Sequence, residues 1–587
     1  MKKFKSVLAL LLALVLALGC VGTAFAAKTP TAKLEGVEKI GDAEAKGYRS
    51  VAFSENVNQY ADTDIVRAIV VLKDAPTAAL AKRGAANETT AREQVKAGQD
   101  KVRKAMRGID YEVQYTYDTL LNGFSCDVAY GDLDKIASID GVDAVYIANH
   151  YAAPVLEKSR ETRTVGSAIM TGTNEARTDF GVDGSGIVVA VLDTGLNTTH
   201  EAFQDADGSC KMTGRMTKDD AALAVAPGKY LNAKVPFAYD YAEKDDDVTD
   251  YQGHGTHVSG IVAGSAYDEK EGVYTFQGAA PAAQIVSMKI FHDAEGGTSS
   301  DIYFYALEDA YRLGVDVVNL SIGAQNGFTY DSSLETEVFG NIYKRLSAAG
   351  IVLSVAAGNE YSMAENSSAK FIGPEYQDYG TVASPSTYIG STSVASVGNY
   401  CYPSYVITVG GKSFEYTDTC ETESKIWRNA FGGKDTEYVI VKDTTGKNQV
   451  SELSLGAPED FKAVDVKGKI AVIQRGELDF STKVANAADA GAIGVIVINN
   501  QSGVIRMSID DFKIPAIAAP FSAQDTFLNA ETKTVSTPTE MTYVRNENAG
   551  LMDDFSNWGT TPMLTMAPVI TSVGGNVYSA VQTGDQD

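Results

Sequence analysis

Three short stretches carry side chains whose types and spacing suit one chemistry. Val191-Leu192-Asp193-Thr194-Gly195 ends an apolar run on a carboxylate. Gly253-His254-Gly255-Thr256-His257-Val258-Ser259-Gly260 sets a histidine at the head of a run of small residues. Ala356-Ala357-Gly358-Asn359 ends another apolar run on a side-chain amide. Nucleophilic catalysis by a serine needs a histidine to take the hydroxyl proton. It needs a buried carboxylate to hold that histidine in one tautomer, and a preorganised donor for the developing oxyanion. His254, Asp193 and Asn359 match those roles in that order.

Other uses of these residues weigh less. His254 and His257 at i, i+3 could ligate zinc, but the chain has five histidines and no cysteine pair stands nearby. His200 reads as a brace for the loop after Asp193. Glu243 to Asp250 (EKDDDVTD) reads as a solvated loop, with a bias of the cleft toward basic substrates as the sharper alternative. Gly297-Thr298-Ser299-Ser300 reads as a helix cap rather than a nucleophile.

The elements that must position these side chains follow from periodicity. Ile187 to Leu192, Ile285 to Phe291, Val315 to Leu320 and Ile351 to Ala357 are continuous apolar runs, as in strands covered on both faces. Ser300 can cap a helix over Asp301 to Leu313, with Ile302, Ala306, Ala310 and Leu313 on one face and Gly314 ending it. Leu334, Val338, Ile342 and Leu346 mark the inner face of the next helix. Strands alternating with helices predict an α/β fold with a doubly wound parallel sheet, whose ligands bind at the carboxyl ends of the strands.

Before it, residues 27–150 read as an α+β unit. Strands are expected at 65–72, 111–117, 124–130 and 142–148, and helices at 88–106 and 132–139, in the order of a ferredoxin-like split fold. After it, residues 401–546 carry their own repeats and read as an insert. Strands are expected at 438–441, 470–474, 493–498 and 514–518, with a helix at 480–490 turning Val484, Ala487 and Ala488 inward. The earlier domain, 151–400, resumes over 547–587.

Composition bounds the partners. Hydrophobic residues at 44% and charged residues at 21% permit a sizeable core. A net charge of -26 excludes a nucleic-acid partner, which would need clustered Lys and Arg. Lys2, Lys3 and Lys5, the apolar run Ser6 to Gly19 and Ala24-Phe25-Ala26 make residues 1–26 a secretory signal. Ala17-Leu18-Gly19-Cys20 is a weaker, lipoprotein-like alternative. No later stretch is apolar enough to span a membrane. Export permits disulfides, and a Cys401–Cys420 bridge stands level with free thiols.

The ordered set D-T-G, G-H-G-T-H-V-S-G and A-A-G-N resembles the subtilisin-like serine proteases (subtilases), and most closely their large cell-envelope members. The resemblance implies a serine endopeptidase acting on proteins or peptides, with Asp193 as orienting acid, His254 as general base and Asn359 as oxyanion donor. It likens Ser321-Ile322-Gly323 to the segment that pairs with the substrate backbone. It makes residues 27–150 an inhibitory propeptide, an intramolecular partner whose tail (Val145 to His150) enters the active site. It likens 401–546 to a protease-associated domain through the stretches Val466 to Gly476 and Ala490 to Ile496. Gly468-Lys469 lacks the Ser or Thr of a phosphate loop.

No cofactor is implied for the chemistry. Structural calcium is common in such proteins, but no convincing ligand loop is found. The family's nucleophile sits in G-T-S-M-A, which occurs nowhere in this sequence. Phe555 to Gly559 and Gly574 to Ser579 match its lead-in, while Val569 and Ser572-Val573 depart from the usual residues there. The expectation is therefore a secreted precursor, with cell-envelope attachment open, whose serine lies beyond Asp587. The alternatives are a nucleophile-lacking pseudoprotease and a binding protein.

Overall fold

The computed structural model describes residues 60–154, 165–204, 214–268, 273–294, 296–324, 338–359, 382–501, 505–546, 548–561, 565–575 and 577–581. The secretory signal, residues 27–59, Leu334 and Cys210 lie outside them. All belong to one compact unit, Gly47–Asp587.

The run IVRAIVVL alternates two buried faces rather than one. It forms the strand Ile65–Leu72, central in a four-stranded antiparallel sheet with Gly123–Ala129 on one side and Val142–Ile147 on the other. Tyr111–Tyr117 completes the sheet beyond Gly123–Ala129. Val66, Ala68, Val70 and Leu72 pack in a core with Val102 and Met106, at the end of the helix Glu88–Ala105, and with Ile136 of the helix Leu133–Ala137. Ile69 and Val71 point the other way, into a cluster shared with Val188, Leu192 and Leu307. A period of two thus serves two cores.

That second core belongs to a seven-stranded, all-parallel sheet. Its spatial order is Ile570–Gly575, Thr392–Gly398, Val352–Ala356, Val317–Leu320, Val188–Asp193, Gln284–Lys289 and Phe237–Asp240. Every residue of Val188–Asp193 is buried. Val188, Ala190 and Leu192 face one cluster, and Val189 and Val191 the other. Helices on both faces explain the unbroken apolar run. The helix Ser300–Leu313 buries Ile302, Ala306, Ala310 and Leu313 as expected, and also Tyr303, Phe304, Leu307, Glu308 and Asp309. Its outer face is covered by the amino-terminal sheet, which periodicity within the helix cannot reveal. Val338, Ile342 and Leu346 are buried, the last two within the helix Gly340–Ala348.

Past Gly398 the chain leaves this sheet. Cys401–Ser404 pairs antiparallel with Thr542–Arg545, which brings the two ends of the intervening segment side by side. Between them lies a second seven-stranded sheet, in the order Lys412–Glu415, Val406–Val409, Thr534–Thr537, Lys434–Ile440, Ile470–Gln474, Gly494–Ile498 and Ala516–Ala519. It has its own cores on either face. Its helix Phe480–Asp489 buries Val484 and Ala487, but Lys483 replaces Ala488 as the third inward residue. The Lys483 ammonium is accommodated by the carbonyls of Leu455 and Gln474. Cys126, Cys401 and Cys420 are free thiols.

Candidate active site

Asp193 is the last residue of its strand, so its carboxylate stands at the carboxyl edge of the parallel sheet. His254 opens the helix His254–Ala263, entered through Gly253 at φ 87°. Such a φ suits glycine alone without strain. Close approach of the two segments needs two further glycines. A Cβ on Gly255 would lie 2.3 Å from the Gly195 carbonyl oxygen, and one on Gly195 would lie 2.6 Å from that of Val248.

The result is a direct contact. His254 Nδ1 lies 2.7 Å from Asp193 Oδ1, with the side chains 18% and 1% exposed. A carboxylate only accepts, so Nδ1 carries the hydrogen and Nε2 keeps its lone pair. The Thr194 amide also donates to Asp193 Oδ1, at 2.8 Å. Burial pulls the His254 pKa down, but the charge and hydrogen bond of Asp193, with a smaller part from Asp250, raise it above its ordinary value.

The other candidates stand on the same edge. The strand Val317–Leu320 lies between Val188–Asp193 and Val352–Ala356, with Leu320 level with Leu192 and Val355. Ser321, Ile322 and Gly323 follow it. The Ser321 hydroxyl accepts from Asn319 Nδ2 at 2.9 Å, and Ile322 is buried. Asn359 is exposed, three residues past its strand. Gly358, at φ 116°, leaves no room for a Cβ above Asn557. The Asn557 amide donates to the Gly358 carbonyl at 3.1 Å. The stretch 555–559 thus supports the Asn359 loop from behind. The structure brings Asp193 and His254 into contact, and Ser321–Gly323 and Asn359 follow the next two strands at the same edge of the sheet.

The His257 Nε2 hydrogen is directed at the Val577 carbonyl, 3.1 Å away. Among the described residues no group of three or more His, Cys, Asp or Glu is placed to hold a metal ion. The acidic stretch is solvated only over Glu243 to Asp247, while Asp250 is fully buried. Its place four residues before His254 was the available signal. Ser299, not Ser300, holds the N-cap position, and it makes no side-chain capping bond. The Ser300 hydroxyl accepts from the Asn149 amide instead.

Of the stretch expected as a tail, Val145 to Ile147 belong instead to the edge strand of the amino-terminal sheet. His150–Tyr151 then pairs antiparallel with Thr298–Ser299. A Cβ on Gly296 would meet Gln252 Nε2 at 3.5 Å and Ala153 Cβ at 3.6 Å. Residues 150–153, the stretch 296–299 and the loop before His254 therefore lie side by side. His200 braces its loop as expected, its Nδ1 accepting from the Ala202 amide at 3.1 Å.

Sheet and pair define a class: α/β folds in which a buried carboxylate orients a histidine at the carboxyl edge of a parallel sheet. Residues 184–587 match the subtilase family, and the chain belongs to that family. It is 30% identical over 487 residues to the PII-type proteinase of Lacticaseibacillus paracasei, covering 79% of this chain and 24% of that one. It is 30% identical over 407 residues to the C5a peptidase of Streptococcus pyogenes, covering 68% and 33%. The chain thus spans about a quarter to a third of the length of these relatives. Among solved structures, the epidermin leader peptide processing serine protease of Staphylococcus aureus aligns with a TM-score of 0.36 at 18% identity. That match covers 57% of this chain and 70% of that one. No helix among the described residues is long and apolar enough to cross a membrane.

Proposed function

We propose that this chain belongs to a secreted serine endopeptidase made as an inhibited precursor. The carrying observation is the 2.7 Å contact between His254 Nδ1 and the buried Asp193 carboxylate. The proposed chemistry takes a nucleophilic serine, and the G-T-S-M-A that carries it in the family occurs nowhere in these 587 residues. The serine hydroxyl oxygen attacks the scissile carbonyl carbon while His254 Nε2 takes the proton. Asp193 stabilises the imidazolium so formed. Asn359 donates to the oxyanion, and His254 returns the proton to the leaving amine. Water then hydrolyses the acyl-enzyme by the same route. Ser321-Ile322-Gly323 pairs with the substrate backbone.

The amino-terminal unit acts as the propeptide, supported by the pairing of its tail with Thr298–Ser299. The segment 401–546 acts as a protease-associated insert controlling access, supported by its separate cores. Export is supported by the charged, apolar and A-x-A pattern of residues 1–26. The names of the relatives, proteinase and peptidase, support the reaction class.

The test starts from the coding DNA past codon 587. An open frame reaching Gly-Thr-Ser-Met-Ala is expected. The full product should then label with a fluorophosphonate at that serine, and His254→Ala should abolish labelling. A frame without a nucleophile, or labelling indifferent to His254, overturns the reading in favour of a binding protein.

A further inference from the structure

The Asp193 loop and the His254 helix come from distant parts of the chain, and a third carboxylate joins them. We propose that Asp250 is a positioning residue of the site, a buried clamp that fixes the orientation of His254 toward Asp193. The inference rests on Asp193 and His254 being the working pair.

Asp250 is 0% exposed. Its Oδ1 accepts from Thr194 Oγ1 at 2.9 Å, from the Gly253 amide at 2.8 Å and from the Gln252 amide at 3.2 Å. Its Oδ2 accepts from the Thr256 amide at 2.8 Å and from Thr256 Oγ1 at 2.7 Å. Both oxygens receive only donors, as suits a carboxylate and not an amide. Several of those donors lie at the start of the His254 helix, where backbone N–H groups have no partner within the helix.

The two threonine hydroxyls make the clamp reciprocal. Thr194, next to Asp193, gives its hydrogen to Asp250 and accepts from the Gly255 amide of the helix at 2.8 Å. Thr256, two residues after His254, gives its hydrogen to Asp250 and accepts from the Asn197 amide of the loop at 2.8 Å. Each segment is therefore tied to the other through a hydroxyl whose direction Asp250 sets. Misplacement of a catalytic group by even an ångström is costly, so a tie at this point has leverage on the reaction.

Charge acts in the same direction. The groups facing His254 are Asp193 from its strand, Asp250 from the preceding loop and His257 one turn on. Removing Asp250 removes an anion that favours the protonated ring. The substitution Asp250→Asn cannot mend the clamp, because each carboxylate oxygen faces a backbone N–H and either amide orientation sets a donor against a donor.

The test uses the full chain, 15N-labelled at its five histidines. Long-range NMR reads the titration midpoint of each ring and the Nδ1–H resonance of His254, assigned by its loss in His254→Gln. Asp250→Ala removes both charge and ties. Thr194→Val and Thr256→Val each remove one tie and keep the charge. The expected result is a lower His254 midpoint and loss of the Nδ1–H resonance in Asp250→Ala. The valine variants should broaden that resonance with a smaller fall in midpoint, and His200 should titrate as in the parent. A folded Asp250→Ala with an unchanged His254 overturns the proposal. If that variant does not fold, an unchanged His254 in both valine variants overturns it. If the parent itself lacks a carboxylate-bonded Nδ1–H, the Asp193–His254 pair fails first and the clamp falls with it.

Discussion

Asn149 and Ser300 hold each other from both sides. The Ser300 amide donates to the Asn149 carbonyl at 2.9 Å, and the Asn149 amide donates to the Ser300 hydroxyl oxygen at 3.1 Å. This reciprocal pair starts the strand pairing that lays the amino-terminal tail along the site's edge. The next tail residues, His150 and Tyr151, continue it.

Tyr151 anchors that tail. Its ring is 2% exposed and lies edge-on to Tyr303, with centroids 5.8 Å apart. Tyr151→Ala should cost roughly 3–5 kcal/mol, as for other large buried rings. The loss should be local as well as global. Urea unfolding of the full chain reads the cost, and hydrogen exchange at the Ser300 amide reads detachment of the tail. A lower urea midpoint with Ser300 still fully protected would show that the ring supports the core without anchoring the tail.

Docking of the amino-terminal sheet should depend on pH through Glu308. Its carboxylate is buried and accepts from the amides of Asp118, Thr119, Leu120 and Leu121, at 2.7 to 3.1 Å. Burial, then the neighbouring Asp118 carboxylate, push its pKa up to about 7 from 4.5, against the opposing pull of Arg312. A group raised in the docked state takes up a proton on docking. Its contribution is complete below about 4.5 and is lost as pH rises through about 7. Protection of the amides at 119–121 from exchange, corrected for the intrinsic rate, should fall over that window. Glu308→Gln should flatten the dependence. A dependence of the same size in Glu308→Gln would assign it to another group.

Much of this arrangement was legible in the residues, and the failures share a cause. Val188–Asp193 and Ile470–Gln474 were readable because strands buried on both faces are written as unbroken apolar runs. Asp193 and His254 were readable because their motifs sit at element ends, where the carboxyl edge of a parallel sheet gathers functional side chains. Ser300 was misread because a hydroxyl before a helix looks the same whether it caps that helix or accepts from a distant amide. Asp250 was misread because an acid beside four other acids reads as solvated until the fold buries it under Thr194 and Thr256. Lys483 was passed over because the carbonyls that receive it come from loops far away in sequence. Each error concerns a partner supplied by tertiary structure.

Lys289 and Asp240 form a buried ion pair at 2.6 Å, with side chains 2% and 1% exposed. Lys289 is level with Asp193 on the adjacent strand. Lys289→Met leaves the Asp240 carboxylate buried without its cation, which should cost roughly 3–5 kcal/mol. Asp240→Asn alone should cost less, because Lys289 retains Asp293 and an amide oxygen can still accept from Ala242 and Glu243. The double variant should be more stable than the sum of the single losses predicts. Urea unfolding of all four proteins gives the coupling. Strict additivity would mean that the two charges contribute independently.

Gly255 is where the geometry of the pair is least forgiving. An added Cβ would sit 2.3 Å from the Gly195 oxygen, 2.9 Å from the Gly195 nitrogen and 3.1 Å from the Thr194 nitrogen. All three are backbone atoms, so no side-chain rotation relieves the overlap. Gly255→Ala must push the Asp193 loop away from the His254 helix, although alanine is the better helix former. The expected cost is roughly 1–3 kcal/mol for overpacking. The more telling result is expected at the ring. The Gly255 amide bond to Thr194 and the adjacent 2.7 Å contact between His254 and Asp193 should both lengthen. The His254 Nδ1–H resonance should then move upfield and its titration midpoint fall. A stable Gly255→Ala protein with that resonance in place would show that loop and helix can separate without opening the pair, leaving Asp193 to hold His254 without the close backbone packing.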